Sequence, residues 1–160
     1  NINLFDSLML DRYSIEFVRE EIKKIKSNKD LFVSQAGYEC EIDYKLDFLT
    51  VSKDEISVSE ANELVDSGTV RYILLTSSNL PARLISLEGT IEIIPPDFKT
   101  INANGAGDTT AAYIAAFGVG NLILTIKKAC AAGAIVAGTN EQPTIEKIEE
   151  ISQLVEVNPR

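Results

Sequence analysis

The 160-residue sequence contains no histidine. That absence removes Ser-His-Asp triads, Cys-His dyads, His-ligated zinc and imidazole acid-base chemistry, and leaves carboxylates, lysines, hydroxyls and backbone amides to carry any reaction. Cysteine is nearly as scarce. Cys40 and Cys130 are the only thiols, and their spacing matches neither a zinc ribbon nor a redox Cys-x-x-Cys pair. Both read as reduced thiols outside the chemistry. Positive charge is short too, with 15 Lys and Arg against 24 Asp and Glu and a net charge of −9. Such a balance repels phosphodiester backbones and anionic headgroups, which argues against nucleic acid or membrane surfaces as partners. An anionic substrate therefore needs local positive potential. No apolar run approaches the ~20 residues that span a bilayer, and the first residues lack a basic stretch followed by a hydrophobic core. The expectation is a cytoplasmic protein.

What is present suits one α/β domain over residues 1–160, at 45% hydrophobic and 24% charged residues and with no low-complexity tract or internal repeat. Ser14 is a good N-cap ahead of Ile15, Val18, Ile22 and Ile25 at helical spacing, with Lys23, Lys24 and Lys26 at the far end where cations suit the dipole; this predicts a helix over 14–27. Short apolar runs at 31–36 and 47–52 predict buried strands joined by a loop over 37–46. Ser57 with Glu60 makes a capping box for a helix through Asp66, stopped by Gly68, and a strand follows over 70–76. The segments 82–87 and 90–94, joined at Glu88-Gly89, predict a hairpin that Pro95-Pro96 ends. From Gly105 onward small residues at helical periodicity predict helices over 106–117, 121–137 and 144–156, the last with Ile145, Ile148, Ile151 and Val155 on one face. Pro143-Thr144 suits its start.

The chemistry concentrates at Asn104-Gly105-Ala106-Gly107-Asp108. Glycines ahead of a helix let a ligand approach the backbone, while first-turn amides and the helix dipole offer positive potential to an anion. Asp108 in that turn can take the proton of a substrate hydroxyl as its oxygen attacks a phosphoryl group held by the same amides. The plain alternative is that the glycines only make the turn and the aspartate only complements the dipole.

The run Asn102 to Thr110 resembles the Asp-Thr-x-Gly-Ala-Gly-Asp signature of ribokinase-type (PfkB) sugar and nucleoside kinases, and the order of flanking elements is similar along nearly the whole chain. The resemblance implies a ribokinase-like (Rossmann-like) sheet flanked by helices and an ATP-dependent phosphorylation of a sugar or nucleoside hydroxyl. Asp108 would be the base, and Gly105, Ala106 and Gly107 the anion hole. It implies nucleotide contacts at Thr76, Ser78, Asn104, Gly105, Gly107 and Ala132, the last within a small-residue helix for which plain close packing is the other reading. The family's Asn-x-x-Glu, which organises Mg2+ through water, falls on Ser52-Lys53-Asp54-Glu55 and gives that role to Glu55; otherwise Asp54 and Glu55 are solvated acids near a helix start. Asn140 to Thr144 resembles the family's closing loop.

Departures are equally specific. The family's Thr-x-Gly-x-x-Gly reads Thr76-Ser77-Ser78-Asn79-Leu80-Pro81, without either glycine. Asn102 replaces the signature's leading aspartate, which removes a charge expected near a K+ site. Family members run to about twice this length, and their N-terminal half supplies most sugar contacts and a β lid. The chain thus corresponds to the C-terminal, catalytic half, opening in mid-fold as a fragment or processed product. A half-sheet calls for a second chain, a homodimer partner or the missing half. The alternative is a catalytically impaired pseudokinase or structural subunit of the same fold.

Overall fold

The computed structural model describes residues 6–13, 15–26, 31–38, 41–78, 80–118, 120–139 and 141–159. Ser14, Cys40, Asn79 and Asn140, and the side chains of Ile25 and Lys26, lie outside the described residues. The elements run β1 (Ser7–Asp11), α1 (Ile15–Lys26), β2 (Phe32–Ala36), β3 (Leu46–Ser52), α2 (Val58–Asp66), β4 (Val70–Ser77), β5 (Leu80–Ser86), β6 (Gly89–Ile94), α3 (Ala106–Phe117), α4 (Leu122–Thr139), α5 (Ile145–Ser152) and β7 (Glu156–Pro159).

All the strands join one sheet whose spatial order is the sequence order, β1 to β7. Strands β1 to β4 are parallel to one another, and β5, β6 and β7 each run antiparallel to the preceding strand. Strands covered on both faces read as continuous apolar runs, as Ile73-Leu74-Leu75 does in β4. Alternation along each strand divides the core. Leu49, Ile73 and Ile85 join Ile15 and Ile22 of α1 and Ala61 and Val65 of α2 on one face. On the other, Phe48, Leu74 and Leu84 join Ile114 of α3, Ile126 and Ile135 of α4 and Ile148 of α5. Burying either face removes enough apolar surface to dominate folding, at about 25 cal/mol per Å².

The capping box at α2 is complete: Glu60 N donates to Ser57 Oγ at 3.2 Å and Ser57 N to Glu60 Oε2 at 2.8 Å. Gly68 then turns the chain at φ +66°. The loop after β2 is held by a buried pair, with Tyr44 OH donating to Gln35 Oε1 at 2.7 Å and Gln35 Nε2 to the Gly37 carbonyl at 2.8 Å.

Two expectations change, and two strands appear where none was predicted. The run Ser7-Leu8-Met9-Leu10-Asp11, too short to show a period, is a strand because β2 pairs with it along its whole length. The last helix stops at Ser152, not at residue 156. Val155 is buried just beyond it, and Glu156-Val157-Asn158-Pro159, which carries no strand signal, pairs with β6. Ile145, placed by periodicity on the buried face, is 58% exposed in the first turn of α5. Among the described helices α4, with 18 residues, has the length and composition of a membrane span. It carries Lys127 and Lys128 at mid-helix and packs against both α3 and α5, burying Ile126, Ala129, Ala132 and Ile135.

Candidate active site

Parallel strands end together, and the crevice beyond their carboxyl ends is where α/β folds bind ligands. Here the ends of β1 to β4 bring Asp11, Gly37, Ser52 and Thr76 to one rim. The N-terminus of α3 closes the crevice from the other side. Its approach is fixed by α4: the Ala137 carbonyl accepts from Ile101 N at 2.8 Å and Asn102 N at 3.0 Å. Asn102 Oδ1 then accepts from Asn104 N at 3.0 Å, tightening the turn into Gly105. Gly105 sits at φ +79°, a conformation that costs a side chain roughly 1–2 kcal/mol.

Ala106 N donates to the Ala103 carbonyl and Thr109 N to the Gly105 carbonyl. Between them, the amides of Gly107 and Asp108 have no backbone acceptor, as expected in a first helical turn. A Cβ on Gly107 would meet nothing within 4 Å, so the space beside its Cα is open. The turn is set by close packing behind it, since a Cβ on Gly133 of α4 would lie 2.3 Å from Thr110 Oγ1 and 2.9 Å from the Ala106 carbonyl oxygen.

Two clefts meet at Gly107, Thr76 and Ser52, which line both. The first, about 320 Å³, has apolar walls from β5, β6, the Pro95–Thr100 segment and α4, with Ser78, Ala106, Gly133 and Ala134 among its lining. The second, about 500 Å³, is lined by Asp11, Arg12, Tyr13, Gly37, Glu55 and Asp108. Asn104 and Gly105 face a third cleft with Asn102, Thr109 and Glu141. The structure therefore brings Thr76, Ser78, Ala106, Gly107 and Asp108 to one junction. Ala132 lines none of these clefts. It is fully buried in the α3–α4–α5 core, because the neighbours Gly133 and Ala134 occupy the arc of the helix that reaches the cleft.

Asp108 is exposed and its carboxylate carries no hydrogen bond or ion pair, which suits a group that works on a ligand. Glu55 is the opposite. Its Oε1 accepts from Arg12 Nη1 at 2.6 Å and from Tyr38 N at 3.4 Å, and its Oε2 from Ser52 N at 2.8 Å. Those donors tie the end of β1, the loop after β2 and the end of β3 together. Joining these three strand ends is the structural task of the Glu55 carboxylate. Cys130 lines the apolar cleft, and burial pushes its thiol up to about 12, well away from nucleophilic reactivity.

Ser78 holds φ +55°, the left-handed conformation in which the family pattern has glycine. Pro81, in place of the second glycine, cannot donate to a ladder, and the β4–β5 register shifts between Leu75 and Ser77, opposite it. Ser78→Gly is expected to relieve about 1 kcal/mol of backbone strain, partly offset by about 0.5 kcal/mol of unfolded-chain entropy. The net rise in thermal midpoint is about 1–2 °C by differential scanning calorimetry. A fall would show that the serine hydroxymethyl stabilises the turn by more than its strain.

Sequence reasoning missed Arg12, whose place beside Glu55 depends on the pairing of β1, and the division of Asp54 and Glu55 between two clefts. Neither has a local signal. Gly133 was visible only as one member of a small-residue run.

No protein-family model matches the chain, and no curated protein matches it in sequence. Solved structures do match in fold. Ribokinase from Thermotoga maritima superimposes with a TM-score of 0.73 at 20% identity, covering 92% of this chain and 57% of that one. The tetrameric inhibited form of phosphofructokinase-2 from Escherichia coli gives 0.72 at 15% identity, covering 95% and 58%. Aminoimidazole riboside kinase from Salmonella enterica, complexed with aminoimidazole riboside and an ATP analogue, gives 0.73 at 14% identity, covering 89% and 61%. The fold is ribokinase-like, a mixed sheet of seven strands flanked by helices. The chain spans little more than half the length of the structures it matches.

Proposed function

We propose that this chain carries the phosphoryl-transfer centre of an ATP-dependent kinase whose acceptor is a hydroxyl of a sugar or nucleoside. One observation carries the reading: two clefts meet at Gly107, one walled largely by uncharged side chains, the other carrying the charged residues Asp11, Arg12, Glu55 and Asp108. The apolar cleft suits the nucleotide. The amides of Gly107 and Asp108, aligned with the α3 dipole, would receive the charge that builds on the transferring phosphoryl group. Asp108 would accept the proton of the acceptor hydroxyl as that oxygen attacks, and Thr76 and Ser78 would line the path of the phosphates. A divalent cation bound with the nucleotide supplies charge neutralisation on the phosphates. We assign no role to K+, because the Asn102 carboxamide brings no charge and its oxygen already accepts from Asn104 N. In this reading acceptor recognition is completed by the remainder of the fold or by a second chain at the β1 end of the sheet.

A second reading, a fold retained without turnover, draws on Glu55, whose carboxylate is engaged by protein donors. Calorimetric titration with ATP plus Mg2+ separates the two. Saturable binding that weakens when Mg2+ is removed is the expected result. No heat of binding, from a chain shown to be folded by circular dichroism, overturns the kinase reading.

A further inference from the structure

The polar cleft, where the acceptor would lie, has a charge of its own. The carboxylates of Asp11, Glu55 and Asp108 line it against a single guanidinium, that of Arg12, and among the described residues no lysine joins them. Asp11 and Glu55 belong to the rim of strand ends, whereas Asp108 belongs to α3, which closes the crevice from the other side. A sugar whose hydroxyl meets Asp108 therefore has carboxylates on both walls. Arg12 does not reverse this sign. Its Nη1 donates to Glu55 Oε1 at 2.6 Å, and its Cζ lies 5.2 Å from the centre of the Tyr13 ring. Asp11 is held in place, its Oδ1 accepting from Tyr13 N at 2.8 Å.

A carboxylate accepts hydrogen bonds from neutral hydroxyls, but it repels a phosphate ester, which carries nearly two negative charges at neutral pH. In a cleft, where water screens poorly, that repulsion is stronger than in bulk solvent. The same side chains thus attract one class of acceptor and reject the other. The positive potential of the α3 terminus is directed at the phosphoryl group in transfer, and the Arg12 charge is matched by Glu55. We propose that the acceptor is an uncharged polyhydroxy compound, a sugar or nucleoside bearing no phosphate before the reaction, and that the carboxylates of the polar cleft exclude sugar phosphates. This assignment rests on the kinase reading above and narrows its substrate class.

The test is a nuclear magnetic resonance titration of the isotope-labelled whole chain, saturated with Mg2+ and a non-hydrolysable ATP analogue. The probes are matched pairs, ribose with ribose 5-phosphate and fructose with fructose 6-phosphate, read at the amides of Gly37, Thr76 and Asp108. The neutral member of at least one pair is expected to shift these amides and to bind about 10- to 100-fold more tightly than its phosphorylated partner. Asp11→Asn keeps an oxygen for Tyr13 N while removing a charge, so it should narrow the gap several-fold by strengthening the phosphorylated probe. Salt at about 1 M, where the screening length falls to about 3 Å, should narrow it as well. Exclusion of phosphate by shape alone would respond to neither change. Three results overturn the assignment while the nucleotide reading stands: a phosphorylated probe that binds as tightly as its neutral partner, a gap that both changes leave intact, or no shift from any probe. Absence of shifts with the ATP analogue removes both. Should Asp11→Asn fail to fold, the salt series decides the question by itself.

Discussion

Replacing Asp108 by asparagine is expected to lower turnover by about 10²–10⁴-fold, the range that a positioned base supplies, while leaving the fold intact. The side chain is exposed and takes no part in a hydrogen bond, so no packing depends on it. Its structural contribution is the interaction of one charge with the α3 dipole, about 0.3–1 kcal/mol, which a screened surface site reduces further. The amides of Gly107 and Asp108 are backbone groups and survive the substitution, so nucleotide affinity should hold within a few-fold. The measurement is a pair: ATP titration by calorimetry, and phosphate transfer to a panel of sugars and nucleosides by a coupled assay. Loss of kcat with nearly constant KM identifies a group used in the transition state. Unchanged turnover in the variant would sink the base assignment and return Asp108 to the bland role of complementing a helix terminus.

Gly133→Ala should give the largest loss of stability of any single methyl addition among the glycines at the site. The added carbon would lie 2.3 Å from Thr110 Oγ1 and 2.9 Å from the carbonyl oxygen of Ala106, and the second of these is backbone that cannot rotate away. Helices α3 and α4 must separate, at a cost of about 1–3 kcal/mol for overpacking of this kind. The separation falls on the first turn of α3, so Gly107 and its amide move with it. A denaturant midpoint lowered with unchanged slope, together with weakened nucleotide binding, is the expected pair of results. Gly107→Ala is the matched comparison, because a methyl there meets nothing within 4 Å. It should leave stability nearly unchanged while narrowing the junction of the clefts. If the two variants destabilise equally, close packing at Gly133 is not what sets the turn.

Legibility in the sequence followed the range of the interactions. Helices with a cap and a period, such as α2 with Ser57 and Glu60, could be read almost to the residue, because the hydrogen bonds that start them are three residues apart. The hairpin of β5 and β6 was equally local. Strands β1 and β7 were not legible, since Leu8-Met9-Leu10 and Glu156-Val157-Asn158-Pro159 acquire their form only from partners remote in sequence or from the sheet as a whole. In the site, the glycine turn and Asp108 are a contiguous motif and declared themselves. The ion pair between Arg12 and Glu55 spans 43 positions and needs three strand ends in register before it exists. The same limit explains Ala132: residues 129–134 read as a uniform stripe of small side chains, and only the docking of α3 decides which of them face a cleft.

The identity of spatial and sequential strand order has a consequence for how the molecule is made. Each strand, as it leaves the ribosome, finds the neighbour it pairs with already synthesised, so the sheet can grow in one direction without threading a later strand between earlier ones. The glycine turn arrives only after six strands are in place, and α4, which holds that turn through Ala137 and Gly133, arrives later still. The turn that carries Asp108 thus depends on packing from a helix that follows it in the sequence. A chain released before α3 would present strands β1 to β6 with one face uncovered by α3, α4 and α5.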